Sequence, residues 1–338
     1  MSRKMPEIDL ADAEKVKQTK IVQKKIQKLY RDTAKKLAKE ASKLPADGLI
    51  SQQMRKMYLE QHIEQLEKEI DAIEASLYKE VQLRMELTAK AVVDANISFM
   101  GRCGINIQGG FSYVPKEVVK NLIQGKVYAN DWNFSKALWQ SSKRIKKDIH
   151  TIVAEGLTAQ RPTYDIAKDL EKYLNPSAKK PWDWSKVYPG TTKKVDYNAQ
   201  RLARTLIQHS YQQAYRQTIK NNPFVEGVIW HSVFAAGRTC ALCQERDGQR
   251  YEKGKEPLDH PQGLCYLEPD IPMSMTSIAD ELADWAHGKS NPQLDAYMES
   301  LYKGNVQAKS RAKESAKTAT AKSFKGKKKN PDEVYAPR

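Results

Sequence analysis

The sequence VIWHSVFAAGRTCALCQERDG at residues 228–248, followed by HPQGLC at residues 260–265, breaks an otherwise polar, helix-like chain. Its β-branched and aromatic run, Val228 to Phe234, is the one convincing strand in the sequence. The Asp247-Gly248 pair favours a turn, so a short second strand through Tyr251 is expected after it. The pattern predicts a mainly α protein that contains a small α+β module.

The same stretch holds three of the chain's four cysteines. Cys240 and Cys243 are two residues apart, a spacing that lets two thiolates from one tight turn reach a single zinc ion. His260 and Cys265 complete a Cys₃His set, so these four residues are the candidate ligands of a structural zinc site. Two other interpretations stay open. The cysteines only pack in a small core in which His260-Pro261 shapes a turn, or they form a disulfide on oxidation.

The order of these elements resembles the phage head-morphogenesis proteins, the Mu F-like minor capsid protein family of tailed bacteriophages. That family shows a tryptophan-bearing strand, a D-x-R-T-C-x-x-C run, an Asn/Asp-Gly turn and a closing H-P-x-C-R-C. Here Arg238 to Cys243 matches the run, Asp247-Gly248 the turn, and His260 to Cys265 part of the closing motif. Ala236 stands where the family usually has an acid. Gly263-Leu264 replace the first cysteine and the arginine of the closing motif.

The resemblance implies a minor head protein with a structural role in head assembly near the portal, and no enzymatic activity. Its expected partners are the portal protein, the major capsid protein or both, and packaged double-stranded DNA. Neither a membrane nor a small-molecule substrate is expected. The implied location is the virion, inside the head or at the portal vertex, after assembly in the host cytoplasm.

The alternative function is a zinc-dependent nucleic-acid enzyme of the HNH type. It is raised by the Cys-x-x-Cys spacing and by Asp259-His260-Pro261, because in such nucleases a histidine activates water beside a metal-held phosphate. The chain after Cys265 offers His287, Asn291, Asn305 and Asn330, none at a spacing that suits that motif.

Residues 1–100 are predicted to form a long helical hairpin or bundle. A seam of apolar residues alternates steps of four and three without a slip, at Leu59, Ile63, Leu66, Ile70, Ile73, Leu77 and Val81. Pro45 to Gly48 separates this helix from an earlier one at residues 10–44, because proline cannot continue a helix. Ser51 can cap the second helix. The sequence leaves open whether the seam closes within one chain or between two.

Four further regions are predicted: a helical domain at 101–222, the Cys/His module at 223–272, C-terminal helices at 273–302 and a tail at 303–338. The helical domain contains helices from Pro115, at 135–154, at 163–174 and at 194–220, with an irregular arm at 176–190. His209 is expected at a surface position of the 194–220 helix. Ser277 is expected to cap the first C-terminal helix, and the second spans 292–302.

The tail is predicted to be disordered and to bind DNA. It contains eleven Lys and Arg against three acidic residues, a net charge of +8 out of +16 for the whole chain. A segregated cationic segment favours a polyanionic partner, although a merely solubilising end is the alternative. The candidate DNA-binding residues are the lysines of its densest part, Lys322, Lys325, Lys327, Lys328 and Lys329.

Several functions are not expected from this sequence. The charged N-terminal residues are unlike a signal peptide, and no run approaches the ~20 apolar residues of a membrane span. No G-x-x-x-x-G-K-[ST] loop is present, so ATP-driven packaging is not expected. Four cysteines in 338 residues do not make a disulfide framework, which favours a reducing cytoplasm as the place of assembly.

Overall fold

The computed structural model describes residues 5–41, 52–128, 132–159, 161–175, 195–234 and 239–302, together with Ser310, Lys313, Glu314 and Lys317. Nine helices and one three-stranded antiparallel sheet occur in these residues, which confirms the predicted mainly α class with a small α+β module. Buried apolar side chains from Met5 to Tyr302 form one continuous cluster. The division into domains stays a prediction. Within the described ranges, no helix has the length and apolar composition that a bilayer crossing requires.

Two long helices, α1 (Glu7–Ala41) and α2 (Gln52–Arg102), pack along each other. Lys25 and Lys36 of α1 pair with Glu80 and Glu69 of α2, at 3.0 and 3.1 Å, so the helices run antiparallel. The described seam closes within one chain, because it is buried at Leu66, Ile70, Ile73, Leu77 and Val81. Ser51 and the predicted break at Pro45–Gly48 lie outside the described residues.

Four shorter helices surround this hairpin: α3 (Val114–Ile123), α4 (Phe134–Thr158), α5 (Thr163–Leu174) and α6 (Val195–Ile219). Helix α6 contacts both hairpin helices, and α5 contacts α1 and α4. Helix α5 has its predicted bounds, but α4 does not end at Ala154 and instead continues through Gly156. A Cβ at Gly156 would lie 2.8 Å from Ile166 Cγ1, so this glycine allows close packing of α4 on α5. The predicted arm at 176–190 lies outside the described residues.

The sheet consists of β1 (Gly227–His231), β2 (Arg250–Glu252) and β3 (Tyr266–Asp270), in the order β2-β1-β3. Val228 lies opposite Tyr251 on one side and Pro269 on the other. Strand β1 ends before Phe234 because the next N–H, that of Ser232, donates to the Asp247 side chain at 2.7 Å. The sequence did not predict β3. Its proline is tolerated because β3 is an edge strand.

Three more helices lie within and after this module: α7 (Ala241–Arg246), α8 (Met275–Ala286) and α9 (Pro292–Tyr302). Helix α9 has its predicted bounds. The expected cap of α8 is wrong: Ser274 is the N-cap, and its Oγ accepts a hydrogen bond from the Ser277 N–H at 3.0 Å. The Phe111 N–H donates to the Leu301 carbonyl, which attaches α9 to the loop after α2.

The basic tail is described at four positions, and all four are helical rather than irregular. Lys313 Nζ lies 5.0 Å from the centre of the Trp285 ring, and Lys317 pairs with Glu314 at 3.3 Å. The candidate DNA-binding lysines lie outside the described residues, at Lys322, Lys325, Lys327, Lys328 and Lys329. Their role stays a prediction.

Candidate metal centre

The Cys240–Cys243 pair is held beside β1 by the turn that follows it. Cys240 directly precedes α7, and Cys243 lies in its first turn. After α7, the Gly248 N–H donates to the Trp230 carbonyl at 2.8 Å, and the Trp230 N–H donates to the Gln249 carbonyl at 2.9 Å. Gly248 has a φ of +76°, a backbone conformation that favours glycine. The strand and the Asp-Gly turn thus position both thiols.

The four predicted ligands lie close together. His260 Nε2 is 3.4 Å from Cys240 Sγ and 3.1 Å from Cys243 Sγ, and Cys265 Sγ is 3.5 Å from Cys243 Sγ. Ligand atoms of a tetrahedral zinc site with Zn–S of about 2.3 Å and Zn–N of about 2.0 Å are about 3.5–3.8 Å apart. The observed separations are near that range, and all three cysteines are free thiols.

Two overlapping groups of ligand atoms can be defined within 4.8 Å. One contains Cys240, Cys243 and His260, and the other contains Cys243, Asp259 and Cys265. Cys243 belongs to both groups. The Cys265 thiol lies more than 4.8 Å from the ligand atom of Cys240, from that of His260, or from both. The five residues together form a cluster that can bind a metal ion.

His260 is oriented as a metal ligand would be. Its Nδ1 is 3.0 Å from the Pro261 carbonyl oxygen, which can only accept, so Nδ1 carries the proton and donates. The lone pair of Nε2 then faces Cys240 and Cys243. Histidine ligands of metals usually have their tautomer set by such an outer hydrogen bond.

Asp259 is a buried member of the cluster that the sequence analysis did not assign as a ligand. Its Oδ2 accepts from the Gln208 side chain at 3.0 Å and from the Cys265 N–H at 3.2 Å. Its Oδ1 accepts from the His260 N–H at 2.8 Å. A Cβ at Gly263 would lie 2.0 Å from Oδ2, so the carboxylate fills the space beside this glycine. Asp259 therefore fixes the backbone of two candidate ligands.

No protein-family model, curated protein or solved structure matches this chain. The resemblance to the Mu F-like family therefore stays an interpretation of the motif.

Lys15 of α1 reaches the cluster from the opposite end of the chain. The side chain is buried, and its Nζ lies 3.3 Å from the carbonyl oxygens of Leu264 and Cys265. Asp12 pairs with the same ammonium at 2.6 Å, and the Tyr211 ring lies 4.5 Å below it. These contacts join α1 to the Cys265 loop. Lys15 is 249 residues from Leu264, so no local sequence signal indicates the contact.

Gln208 and Ser232 bind the same loop and the α7 turn from two other sides. Gln208 of α6 donates to the Cys265 carbonyl at 2.6 Å, and the Ser232 hydroxyl donates to the Cys243 carbonyl at 2.6 Å. The Trp230 indole N–H donates to the same hydroxyl oxygen at 3.2 Å. The cluster is thus held by α1, α6 and β1 together.

The thiols of the Cys-x-x-Cys pair lie in different environments. Hydrogen bonds from the backbone and side chain of Cys243 hold the pKa of the exposed Cys240 thiol below its usual range, and His260 adds to the effect. Burial raises the pKa of the Cys243 thiol, and hydrogen bonds with Cys265 and Cys240 add to the increase. Cys240 is therefore the thiol that ionises more readily. Metal binding at Cys243 releases a proton, which links metal affinity to pH.

His209 is buried, so the expectation of a surface position is wrong. Helix α6 is buried on all sides from residue 205 to residue 212, where it passes between the hairpin and the module. His209 Nε2 lies 3.0 Å from the Asp259 carbonyl and must carry the proton, while Nδ1 accepts from the Tyr128 hydroxyl at 2.9 Å. Burial lowers the pKa of His209. The neutral ring supports the backbone of Asp259.

Proposed function

We propose that this chain is a minor head protein of a tailed phage, with a structural role in head assembly near the portal. The convergence of Cys240, Cys243, His260 and Cys265 carries the proposal, because the resemblance to the Mu F-like family rests on these residues. Two of them come from the α7 turn. The other two come from a loop that begins 17 residues after Cys243.

The long hairpin supports a role in contacting neighbouring subunits. At 1.5 Å per residue, the 51-residue helix α2 is about 76 Å long. Leu10 and Leu83 are large apolar side chains that remain exposed on the hairpin. The proposed partners of this surface are the portal protein, the major capsid protein or both.

The cluster is proposed to hold a structural zinc ion through Cys240, Cys243, His260 and Cys265. The residues fit this ion, since thiolate and imidazole are its preferred ligands. The ligands would be oriented by hydrogen bonds with groups that do not bind the ion, namely Asp259, Gln208 and the Pro261 carbonyl. When bound, the ion would crosslink the α7 turn to the Cys265 loop.

Elemental analysis of the gently purified protein tests the zinc site. About one zinc per chain is expected, together with a lower melting temperature after chelation, because structural metal binding contributes to folding free energy. Less than about 0.2 zinc per chain, with melting unaffected by chelator, would contradict the metal site. The proposed role in the head would survive that result.

The tail is proposed to contact packaged DNA through Lys322, Lys325, Lys327, Lys328 and Lys329. Each neutralised phosphate releases counterions, so binding should weaken steeply with salt; six engaged phosphates correspond to a slope of log K against log salt near −5. Deletion of residues 303–338 should weaken DNA binding and lower its salt slope, and it should leave incorporation into procapsids unchanged. Loss of incorporation with unchanged DNA affinity would mean that the tail is an assembly signal.

Quantitative mass spectrometry of purified virions tests the role itself. The protein is expected in a few copies per particle, far fewer than the major capsid protein. Its absence from both virions and procapsids would contradict the proposal.

The HNH nuclease alternative has less support from the cluster geometry. Nε2 of His260 faces two thiols, and Nδ1 donates to a carbonyl, so neither nitrogen is placed to activate water. Metal-dependent hydrolysis of plasmid DNA that is abolished by His260→Ala would favour the nuclease. Hydrolysis that persists in that variant would point to a contaminant.

A further inference from the structure

Helix α4 carries a cationic face that is separate from both the metal cluster and the tail. Residues 135–147 of this helix contain five Lys and Arg and no acidic residue. The side chains of Lys136, Trp139, Lys143 and Lys147 are all exposed, and their spacing of three, four and four residues aligns them along one side of the helix. We refer to these four residues as the α4 face.

The ion pairing of the α4-face lysines differs from that of three exposed lysines on the α1–α2 hairpin. Lys17, Lys68 and Lys90 each form an ion pair with an acid on their own helix, at 2.9, 2.9 and 2.6 Å. Among the residues that the structure describes, no acidic side chain lies within ion-pair distance of Lys136, Lys143 or Lys147. The first acid of α4, Asp148, is buried and accepts from the Tyr173 hydroxyl. The neighbouring Asp71 of α2 is paired with Lys146 at 2.7 Å.

An exposed tryptophan lies among these charges. Trp139 is 55% exposed, which leaves a large aromatic surface in water. Lys143 Nζ lies 5.1 Å from the centre of its ring, so the cation and the ring occupy the same patch. Basic side chains beside an exposed aromatic ring are the combination that binds single-stranded nucleic acid, in which bases stack on the ring and cations contact phosphates.

The length of the α4 face suits a nucleic-acid backbone. Lys136 and Lys147 are 11 residues apart, about 16 Å along the helix axis. A DNA duplex carries one charge per about 1.7 Å, or about ten phosphates over that length. Several phosphates are therefore within reach of three flexible lysine side chains. An acidic protein surface could replace the nucleic acid only if its carboxylates were spaced as closely as these phosphates.

We propose that the α4 face is a nucleic-acid-binding surface that contacts the phosphodiester backbone through Lys136, Lys143 and Lys147. Trp139 provides a stacking surface when the bound strand is single. The surface acts independently of the basic tail and does not depend on the metal cluster.

The test uses the full-length protein and two sets of substitutions. Lys136, Lys143 and Lys147 are replaced by Gln in one variant, and the five tail lysines from Lys322 to Lys329 are replaced by Gln in another. Binding of a labelled 30-base-pair duplex is measured by fluorescence anisotropy over a range of salt. The α4 variant should have a salt slope smaller by about 3 than that of the unmodified protein, at about 0.9 per lost phosphate contact.

A matched control separates a specific surface from overall charge. Replacement of Lys17, Lys68 and Lys90 by Gln removes the same three charges from exposed positions of α1 and α2. This control should leave the salt slope within about 0.5 of the original value, since these lysines are not expected to contact phosphates. An equal loss of binding in the control and the α4 variant would overturn the proposal. Circular dichroism should show unchanged folding in both, because all six lysines are exposed.

The tail variant distinguishes this proposal from the proposed role of the tail. If the tail variant loses all DNA binding and the α4 variant loses none, the α4 proposal is overturned and the tail proposal stands. If the α4 variant loses affinity while the tail variant retains it, the α4 proposal stands and the tail proposal does not.

Trp139 distinguishes a duplex ligand from a single strand. Trp139→Ala should weaken binding of a labelled 20-nucleotide single strand about five-fold or more, because each stacked base contributes to affinity. The same variant should bind the duplex about as well as the unmodified protein. Equal affinities for single strand in variant and parent would remove stacking from the proposal and limit the surface to phosphate contacts.

Discussion

Replacement of Gly263 by alanine is expected to destabilise the protein by about 3 kcal/mol or more. The added Cβ would lie 2.0–2.3 Å from the three carboxyl atoms of Asp259, so the carboxylate has to move by about 1 Å or more. The turn cannot easily move instead, because the Gly263 N–H donates to the His260 carbonyl at 2.9 Å. A displaced carboxylate loses hydrogen bonds from Gln208, Cys265 and His260. Each bond to a charged group contributes about 1.5–3 kcal/mol, and we expect two to be lost.

The free energy of unfolding is measured by urea titration at pH 7, with circular dichroism as the signal. Gly101→Ala is the control, since a Cβ at this helical glycine meets nothing within 4 Å; it should be neutral or stabilise by up to about 1 kcal/mol. Asp259→Ala removes the obstacle, so adding Gly263→Ala to it should cost less than about 1 kcal/mol. A cost of Gly263→Ala that is the same with and without Asp259, or that is zero, would mean that the glycine does not make room for the carboxylate.

Three further substitutions test other parts of the structure. Ile70→Asp buries a charge in the α1–α2 seam and should lower the free energy of unfolding by about 3–5 kcal/mol in urea titration, whereas Leu83→Asp, on an exposed part of α2, should change it little. His209 has a folded-state pKa below the unfolded value of 6.5, so the unfolded state binds the proton first as pH falls. Stability should therefore decrease below about pH 6.5, by at most about 1.4 kcal/mol per pH unit from this group, and His209→Gln should reduce that slope. Lys15→Met removes the ammonium donor from the Leu264 and Cys265 carbonyls, although the Cys265 carbonyl keeps its bond from Gln208. The substitution should weaken zinc binding about 10–100-fold in competition with a chelating dye, with Lys17→Met as the exposed control.

Each of these expectations has a contradicting result. An Ile70→Asp protein as stable as the Leu83→Asp control would mean that the seam is not buried in solution. An unchanged pH slope in His209→Gln would assign the acid sensitivity of the protein to other groups. Equal zinc affinity in the Lys15 and Lys17 variants would mean that the contact of α1 with the Cys265 loop does not position the ligand.

The helical part of the fold is largely encoded by local patterns. The seam from Leu66 to Val81 was predicted from its spacing alone, because burying one side of a long helix requires apolar residues at steps of three and four. Helices α5 and α9 have their predicted bounds because local signals lie at their ends: Pro162 directly precedes α5, and the Asn291 side chain accepts from the Leu294 N–H at the start of α9. Cys240 and Cys243 were recognisable as a pair for the same reason: two residues in one turn lie together whatever surrounds them.

The tertiary structure decided which residues surround that pair. Strand β3 contains a proline that argues against a strand in isolation, and only its edge position beside β1 makes it acceptable. His209 has the sequence context of a surface helix, yet contacts on all sides of α6 bury it. Lys15 reaches the cluster through hydrogen bonds to backbone carbonyls 249 and 250 residues away, and Gln208 of α6 binds the Asp259 carboxylate from 51 residues away. Contacts at such separations leave no spacing pattern in the sequence. Helix bounds and the Cys-x-x-Cys pair are determined by residues that are neighbours in the chain. The environment of the candidate metal centre depends on helices and strands that meet only after folding.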